Sequence, residues 1–405
     1  MLDNGKAEGA RKIKQIEKYC LRDIAIVSQG FTFSRSYQGK KNLKWNYFKV
    51  ADIGLNPNSK YLTNAINTIS DITMEEIGAL PFPKGSIVFP RVGAALFNNN
   101  KKILAQDGMV DDNVLVLTVT DTSKCWHEFL YYYLQGIPLA KWCNSGLVPV
   151  INTKTVLSQM VFLPPLPEQQ KIAAILSTQD KLIELKEKLL VQKQQQKKYL
   201  MQQLLTGKKR LPGFCEKWTR KQLGELFKNR VETNRSDLGL LAITSTRGIL
   251  PRDCLDLKDN SSEDKSKYLR ICPGDIGYNT MRMWQGVSAY SEYEGIVSPA
   301  YTILAPMEGV YSHYFAYLFK TQSVIFSFYR FSQGLVDDTR NLKYENFKKI
   351  SVSIPSKVAE QRAIVQILST ADHEIDLLQK SIEAEKQKKK ALMQLLLTGK
   401  VSVRI

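Results

Sequence analysis

The chain has 405 residues, 43% of them hydrophobic and 24% charged, a balance that fits folded domains and excludes a disordered or fibrous chain. No apolar run reaches the roughly eighteen residues of a membrane-spanning helix, and the six cysteines include no CxxC pair, which excludes a zinc ribbon or a disulfide scaffold. Lys and Arg outnumber Asp and Glu by 57 to 39, a net charge of +18 that favours a polyanionic partner, while three histidines leave little material for histidine chemistry or a metal.

Residues 1–18 read as an N-terminal extension that alternates charge with small residues and lacks the apolar stretch of a secretory leader. Residues 19–166 read as a first mixed α+β domain. Strands are expected at 86–90 and 113–119, where Val, Ile and Leu lie between Gly, Pro and Asn, and a helix at 128–134. Its candidate nucleic-acid contacts are Arg35, Lys40, Lys41 and Lys44 beside Trp45, then Arg91, Asn98, Lys101 and Lys102.

Residues 167–208 read as one long helix. Pro167 suits its first turn, with Glu168 at the positive end, and Gly207 stands where a left-handed cap belongs. Ile172, Ile175, Leu176, Leu182, Ile183 and Leu189 recur at three-to-four spacing and predict a seam for a second helix or a partner. At 1.5 Å per residue the rod is roughly 60 Å long.

Residues 209–358 read as a second α+β domain, with strands at 295–299 and 301–304 and a helix at 314–319. Within it Asn279, Arg282, Trp284 and Gln285 offer amide, guanidinium and indole groups in seven residues. Arginine reads guanine, and asparagine or glutamine reads adenine, in the major groove. Arg247, Arg330, Gln333 and Arg340 are further candidates for phosphate or base contacts. Residues 359–400 repeat the long helix, with Ile364, Ile367, Leu368 and Ile375 as its seam, and 401–405 form a tail.

The strongest signal is internal. Glu168–Lys208 recurs as Glu360–Lys400 at an offset of 192 with no gap, and 22 of the 41 positions are identical. The chain is therefore a tandem duplication. Two such helices, each with an apolar stripe, most simply pack antiparallel as a coiled coil with an internal pseudo-twofold. The domains between them have diverged, keeping only scattered matches such as Gly108-Met-Val110 with Gly295-Ile-Val297. Residues 1–167 and residues 209–359 each carry six more basic than acidic residues. A shared frame with two unlike basic domains suggests two readers.

No catalytic residue and no metal ligand is assigned. Pro164-Pro165 lies between leucines rather than in an Asn-Pro-Pro-Tyr site, no phosphate-binding loop precedes Gly207-Lys208, and Asp111-Asp112 and Asp337-Asp338 read as turns.

These residues resemble the specificity subunit of type I restriction-modification systems. The resemblance is carried by Leu163-Pro-Pro-Leu-Pro-Glu-Gln-Gln170, by Leu204-Leu-Thr-Gly-Lys208, and by their echoes in the second unit. Pro83–Gly93, Ser145–Asn152, which adds Asn152 as a candidate contact, and Asn279–Gly286 with Ser298–Tyr301 support it. At the second helix entry Ile354-Pro-Ser-Lys-Val-Ala-Glu360 departs from the Leu-Pro-Pro-Leu form.

The resemblance implies two target-recognition domains, each reading half of a bipartite site in double-stranded DNA. The paired helices would space the domains and dock two methyltransferase subunits, with motor-nuclease subunits joining for restriction. It implies a non-catalytic chain in a prokaryotic cytoplasm that binds no cofactor itself. S-adenosylmethionine, ATP and Mg would serve the partner subunits. The alternative is an architectural nucleic-acid-binding protein without an enzyme partner.

Overall fold

The computed structural model describes residues 16–55, 59–144, 146, 148–244, 248–254 and 264–403. The chain divides into two units, Met1–Leu189 with Gln379–Ile405, and Leu190–Leu378, so each holds one domain and part of each long helix.

In the first unit the strands are β1 (Glu17–Cys20), β2 (Ala25–Gln29), β3 (Tyr61–Leu62), β4 (Ile87–Pro90), β5 (Lys102–Leu104), β6 (Val114–Val119) and β7 (Met160–Leu163). Helix α1 (His127–Gln135) follows β6, and the long helix α2 (Leu166–Leu204) follows β7. The expected strands and helix of this domain are thus present. Val, Ile, Leu and Phe fill β4 and β6 because both sheet faces are covered: all of β4 and the first four residues of β6 are buried. The sheet order is β2-β6-β4-β5-β3, antiparallel except at the β3–β5 edge. A second sheet of Asn67–Ile69, Trp45–Phe48 and Met109–Val110 joins it through Phe48, Val88, Val110 and Val116. On the other face, Phe129, Leu130 and Leu134 of α1 pack with Phe89, Leu115 and Leu117, and Ile172 and Leu176 of α2 complete the core. Each such side chain taken out of water is worth about 1.5–3 kcal/mol.

The second unit contains β8 (Thr219–Gln222), β9 (Phe227–Asn229), β10 (Ile276–Asn279), β11 (Ser288–Tyr290), β12 (Tyr301–Pro306) and β13 (Ser351–Ile354). Helices α3 (Ser312–Leu318) and α4 (Gln322–Phe331) precede the second long helix, α5 (Val358–Leu396). Its sheet order, β9-β12-β10-β11, repeats β2-β6-β4-β5 of the first unit. Phe315, Phe319, Phe328 and Phe347 meet in this core, joined by Ile364, Val365 and Leu368 of α5 and Leu204 and Leu205 near the end of α2. The duplication seen in the helices therefore extends to domains whose sequences have drifted apart.

The long helices are equal in length, 39 residues each, and their bounds differ by the same 192 as the sequence repeat. In both units a two-stranded ribbon, β1–β7 or β8–β13, leads straight into the helix. Gly207 and Gly399 take φ of 71° and 72° just past the helix ends, as a left-handed cap requires.

Within each unit the helix segments run antiparallel. In the first, Gln179 donates to Glu385 Oε2 at 2.7 Å, Lys186 to Ser381 and Glu385 at 2.8 Å, and Lys386 pairs with Glu187 at 2.7 Å. In the second, Lys193 pairs with Glu374 at 2.7 Å and Lys197 with Asp372. The seam differs in detail from the expectation. Ile172, Leu176, Gln179, Ile183 and Lys186 follow one line, whereas Leu182 and Leu189 are 37% and 42% exposed with Leu185 beside them at 53%. At 3.6 residues per turn the leucines fall on a neighbouring face, so charged hydrogen bonds carry much of the helix contact. Ile364 and Leu368 are buried against the second domain's core, Ile175 and Ile367 are partly buried against their own domains' cores, and Ile375 is half-buried. No described helix is long and apolar enough to cross a membrane.

Candidate nucleic-acid interface

The second domain builds its candidate surface from two distant stretches. β10 ends at Asn279, whose side-chain carbonyl accepts the Met281 N–H at 2.9 Å and turns the chain. One 3₁₀ turn over Met283–Gln285 follows and closes at Gly286, φ 79°. A side chain there would meet Ile325 of α4 at 2.8 Å, so glycine lets the turn sit down on that helix. Met283 points into the core, leaving Arg282 and Gln285 exposed. Trp284 donates its indole N–H to Met281 O at 3.0 Å and meets Tyr329 of α4 edge-on at 6.2 Å.

α4 is amphipathic: Val324 and Phe328 are buried while Tyr329 and Arg330 face outward. A hairpin follows, closed by two 2.8 Å backbone hydrogen bonds between Gln333 and Asn341. Arg340 lies 4.0 Å over the Tyr329 ring and donates to Asp337 at 2.8 Å. The fold thus gathers Asn279, Arg282, Trp284 and Gln285 with Arg330, Gln333 and Arg340. Asn279 and Arg340 are committed to shaping the surface, while Arg282, Gln285 and Arg330 are displayed on it. Arg247 lies outside the described residues.

The first domain has the equivalent turn between β4 and β5. Arg91 leaves the strand, Gly93 at φ 80° starts a 3₁₀ turn over Ala94–Asn98, and Asn99 at φ 53° ends it where Gly286 does in the other domain. Asn98 is exposed at the turn's tip. The Arg91 carbonyl accepts the Ile151 N–H at 2.9 Å, which brings Asn152 close by. Asn152 also caps the helix Thr153–Leu157 through the Lys154 N–H at 3.0 Å. Arg35, Lys40, Lys41 and Lys44 are exposed on and before the smaller sheet, where Lys44 and the Trp45 indole both reach Asp71, at 2.7 and 2.8 Å.

Lys101 and Lys102 correct the expectation of a phosphate-binding loop. They are 2% and 1% exposed. Lys101 donates to Asn99 Oδ1 at 2.6 Å and to Ile137 O at 2.9 Å, and Lys102 donates to Ser59 O. Burial pushes the two ammonium groups down, to about 7 and about 8. Their charge is turned inward, away from any phosphate.

The second domain has the mirror arrangement. Lys320, just past α3, donates to Gly286 O at 2.7 Å and Ser288 O at 2.6 Å, and burial pushes it to about 8. In the first domain the lysine sits on the turn and reaches the end of α1. In the second it sits at the end of α3 and reaches the turn. Either way a buried ammonium ties the exposed turn to the helix behind it.

A second repeated device was not anticipated. Tyr132 of α1 donates to Asp180 at 2.6 Å, Lys389 pairs with the same carboxylate, and its ammonium lies 5.7 Å from the tyrosine ring. In the other unit Tyr317 of α3 donates to Asp372 at 2.7 Å, Lys197 pairs with Asp372, and again stands 5.7 Å from the ring. Asp180 and Asp372, like Lys197 and Lys389, are related by the 192-residue offset. Burial and the adjacent carboxylate push both phenols up, so each stays protonated and donates. Each node pins a domain to both long helices within its unit. The aspartates and lysines were visible in the repeat, but the tyrosines lie outside it.

Among the described residues, no three His, Cys, Asp or Glu side chains are grouped as a metal would need. Asp111 is buried and accepts the Asn113 N–H at 2.8 Å, as a turn residue does.

A model of the type I restriction modification DNA specificity domain matches residues 13–195 and 260–386. The S subunit of a type I restriction-modification system from M. genitalium is similar at 15% identity and a TM-score of 0.59, covering 96% of this chain and 97% of that one. A structure titled for complex assembly and conformational transition of the type I R-M system is similar at 14% identity and a TM-score of 0.54, covering 94% and 97%. The likeness to these structures lies in the fold. The family model, matching more than half the chain, carries the assignment: this protein belongs to the type I restriction-modification DNA specificity family.

Proposed function

We propose that each domain reads one half of a bipartite, asymmetric DNA sequence, and that the long helices set the gap between the halves and dock two methyltransferase subunits. The observation that carries this reading is the contrast within the repeat. Two domains with one sheet order present different side chains at the same turn, Arg91 to Asn98 in one and Asn279 to Gln285 in the other. The helices and their Tyr–Asp–Lys nodes meanwhile stay alike. Exposed Arg282 and Gln285 suit guanine and adenine edges, with Arg330 and the Arg35–Lys44 stretch on the phosphates.

The outward leucines Leu182, Leu185 and Leu189 form an apolar stripe on α2 that suits a helix-bearing partner such as a methyltransferase. In this reading the chain does no chemistry. Methyl transfer from S-adenosylmethionine, and ATP- and Mg-dependent restriction by motor-nuclease subunits, belong to its partners, in a prokaryotic cytoplasm. The test is co-purification from the native cell together with methylome mapping. A stoichiometric methyltransferase and a two-part methylated motif that disappears with this gene are the expected results. Nucleic-acid binding without either one would leave the chain an architectural binder.

A further inference from the structure

The hairpin after α4 carries an apolar tip on a rigid base. Besides the Gln333–Asn341 pair, Gly334 stands at φ 129°, and a Cβ there would lie 2.6 Å from Thr339 O, so only glycine fits. Thr339 Oγ1 donates to Val336 O at 3.0 Å across the loop. Arg340 braces the hairpin on α4 by stacking on Tyr329 and donating to its hydroxyl at 2.9 Å. The hairpin's exit joins the 279–286 turn where Leu342 N–H meets Thr280 O at 2.9 Å. With its base held this firmly, the tip still leaves Leu335 99% exposed and Val336 59% exposed.

We propose that Leu335, supported by Val336, is a specificity-determining contact of the second domain that packs on the C5 methyl group of a thymine in the major groove. This rests on the base-reading function above. The elements that brace the hairpin also display Arg282 and Arg330, and the exposed Asp337 beside the tip is paired with Arg340 at 2.8 Å, so the uncompensated charge of this surface is basic and suits a polyanion. On a duplex, the apolar feature offered at the base edges of the major groove is the thymine methyl. A narrow tip of two apolar residues has the shape of a probe for a groove, whereas apolar surfaces that dock proteins are broad patches. Because the hairpin is already braced, little conformational entropy is lost when it engages.

The test uses the chain assembled with its methyltransferase and duplexes carrying the mapped motif. Each thymine of the second half-site is replaced in turn by uracil, which keeps the hydrogen-bonding edge and lacks the methyl. One replacement should weaken binding by the wild-type assembly about fourfold, the value of one methyl-sized group kept from water. The same replacement should have no effect on Leu335→Ser and a retained effect on Leu335→Ile. The proposal is overturned if every uracil duplex affects wild type and Leu335→Ser equally, or if the half-site contains no thymine. It is also overturned if Leu335→Ser removes a DNA bend without any uracil dependence, since that result assigns a wedge between base steps. In each of these cases a two-part motif still maps. Failure of base reading is a different result: exchanging the second domain would leave the motif unchanged.

Discussion

The turns after β4 and after β10 occupy the same place in two copies of one sheet, yet their supporting lysines come from opposite sides. Lys101 belongs to the turn in the first domain, and Lys320 to the helix end in the second. The side chains displayed on the turns differ altogether. By contrast, the nodes Tyr132–Asp180–Lys389 and Tyr317–Asp372–Lys197 repeat atom for atom in kind. The comparison teaches that position is kept in this molecule where the domain meets the helices, and identity is released where it meets the outside. Divergence at the turn requires only that some buried donor tie it down.

The largest effect should come from breaking a node. Asp180→Ala or Asp372→Ala leaves a lysine and a tyrosine without their shared acceptor. The loss should be about 2–3 kcal/mol in either unit, somewhat below the figure for a fully buried pair because both sites are partly exposed. Urea unfolding of the two variants should give similar losses. Strongly unequal losses would break the equivalence of the nodes.

Arg282→Ala should relax base choice at one position of one half-site and cost about 1–3 kcal/mol there, read by competition between duplexes. The other half-site should be read as before. Lys101→Met and Lys320→Met leave carbonyls without donors and should cost about 1–2 kcal/mol each.

The lysines also set a pH dependence. A lysine whose pKa is lowered by folding binds its proton more readily in the unfolded chain. Stability from Lys101 should therefore rise as the pH climbs from about 7 toward the ordinary lysine value near 10.4, and Lys101→Met should flatten that rise. Replacing Lys101 should leave the salt dependence of DNA binding unchanged, since its charge faces inward. The smallest effect on the chain itself belongs to Leu182→Ser with Leu189→Ser. Stability should change by no more than about 0.5 kcal/mol, while capture of the methyltransferase is lost.

The frame was legible in the sequence because a 192-residue repeat constrains helix length, caps and ends together, and Gly207 and Gly399 were identifiable from position alone. The main strands were legible because Val, Ile and Leu cluster where a sheet is covered on both faces. The individual contacts were less so. After Asn98-Asn99-Asn100 the pair Lys101-Lys102 has the composition of a solvated loop, and only the pairing of β5 with β4 puts it in the interior. Arg340 was identified as a surface candidate, but its partner Tyr329 comes from another element and turns it into a brace. Which leucine of α2 faces inward depends on a drift of a fraction of a residue per turn, too fine for spacing alone to decide.

The most direct measurement is methylome sequencing of cells in which residues 217–357 are replaced by the corresponding domain of another member of the family. Two separate readers on a common frame predict a motif whose one half is new, whose other half is unchanged, and whose complex still assembles. A motif changed in both halves at once, or in neither, would contradict the account.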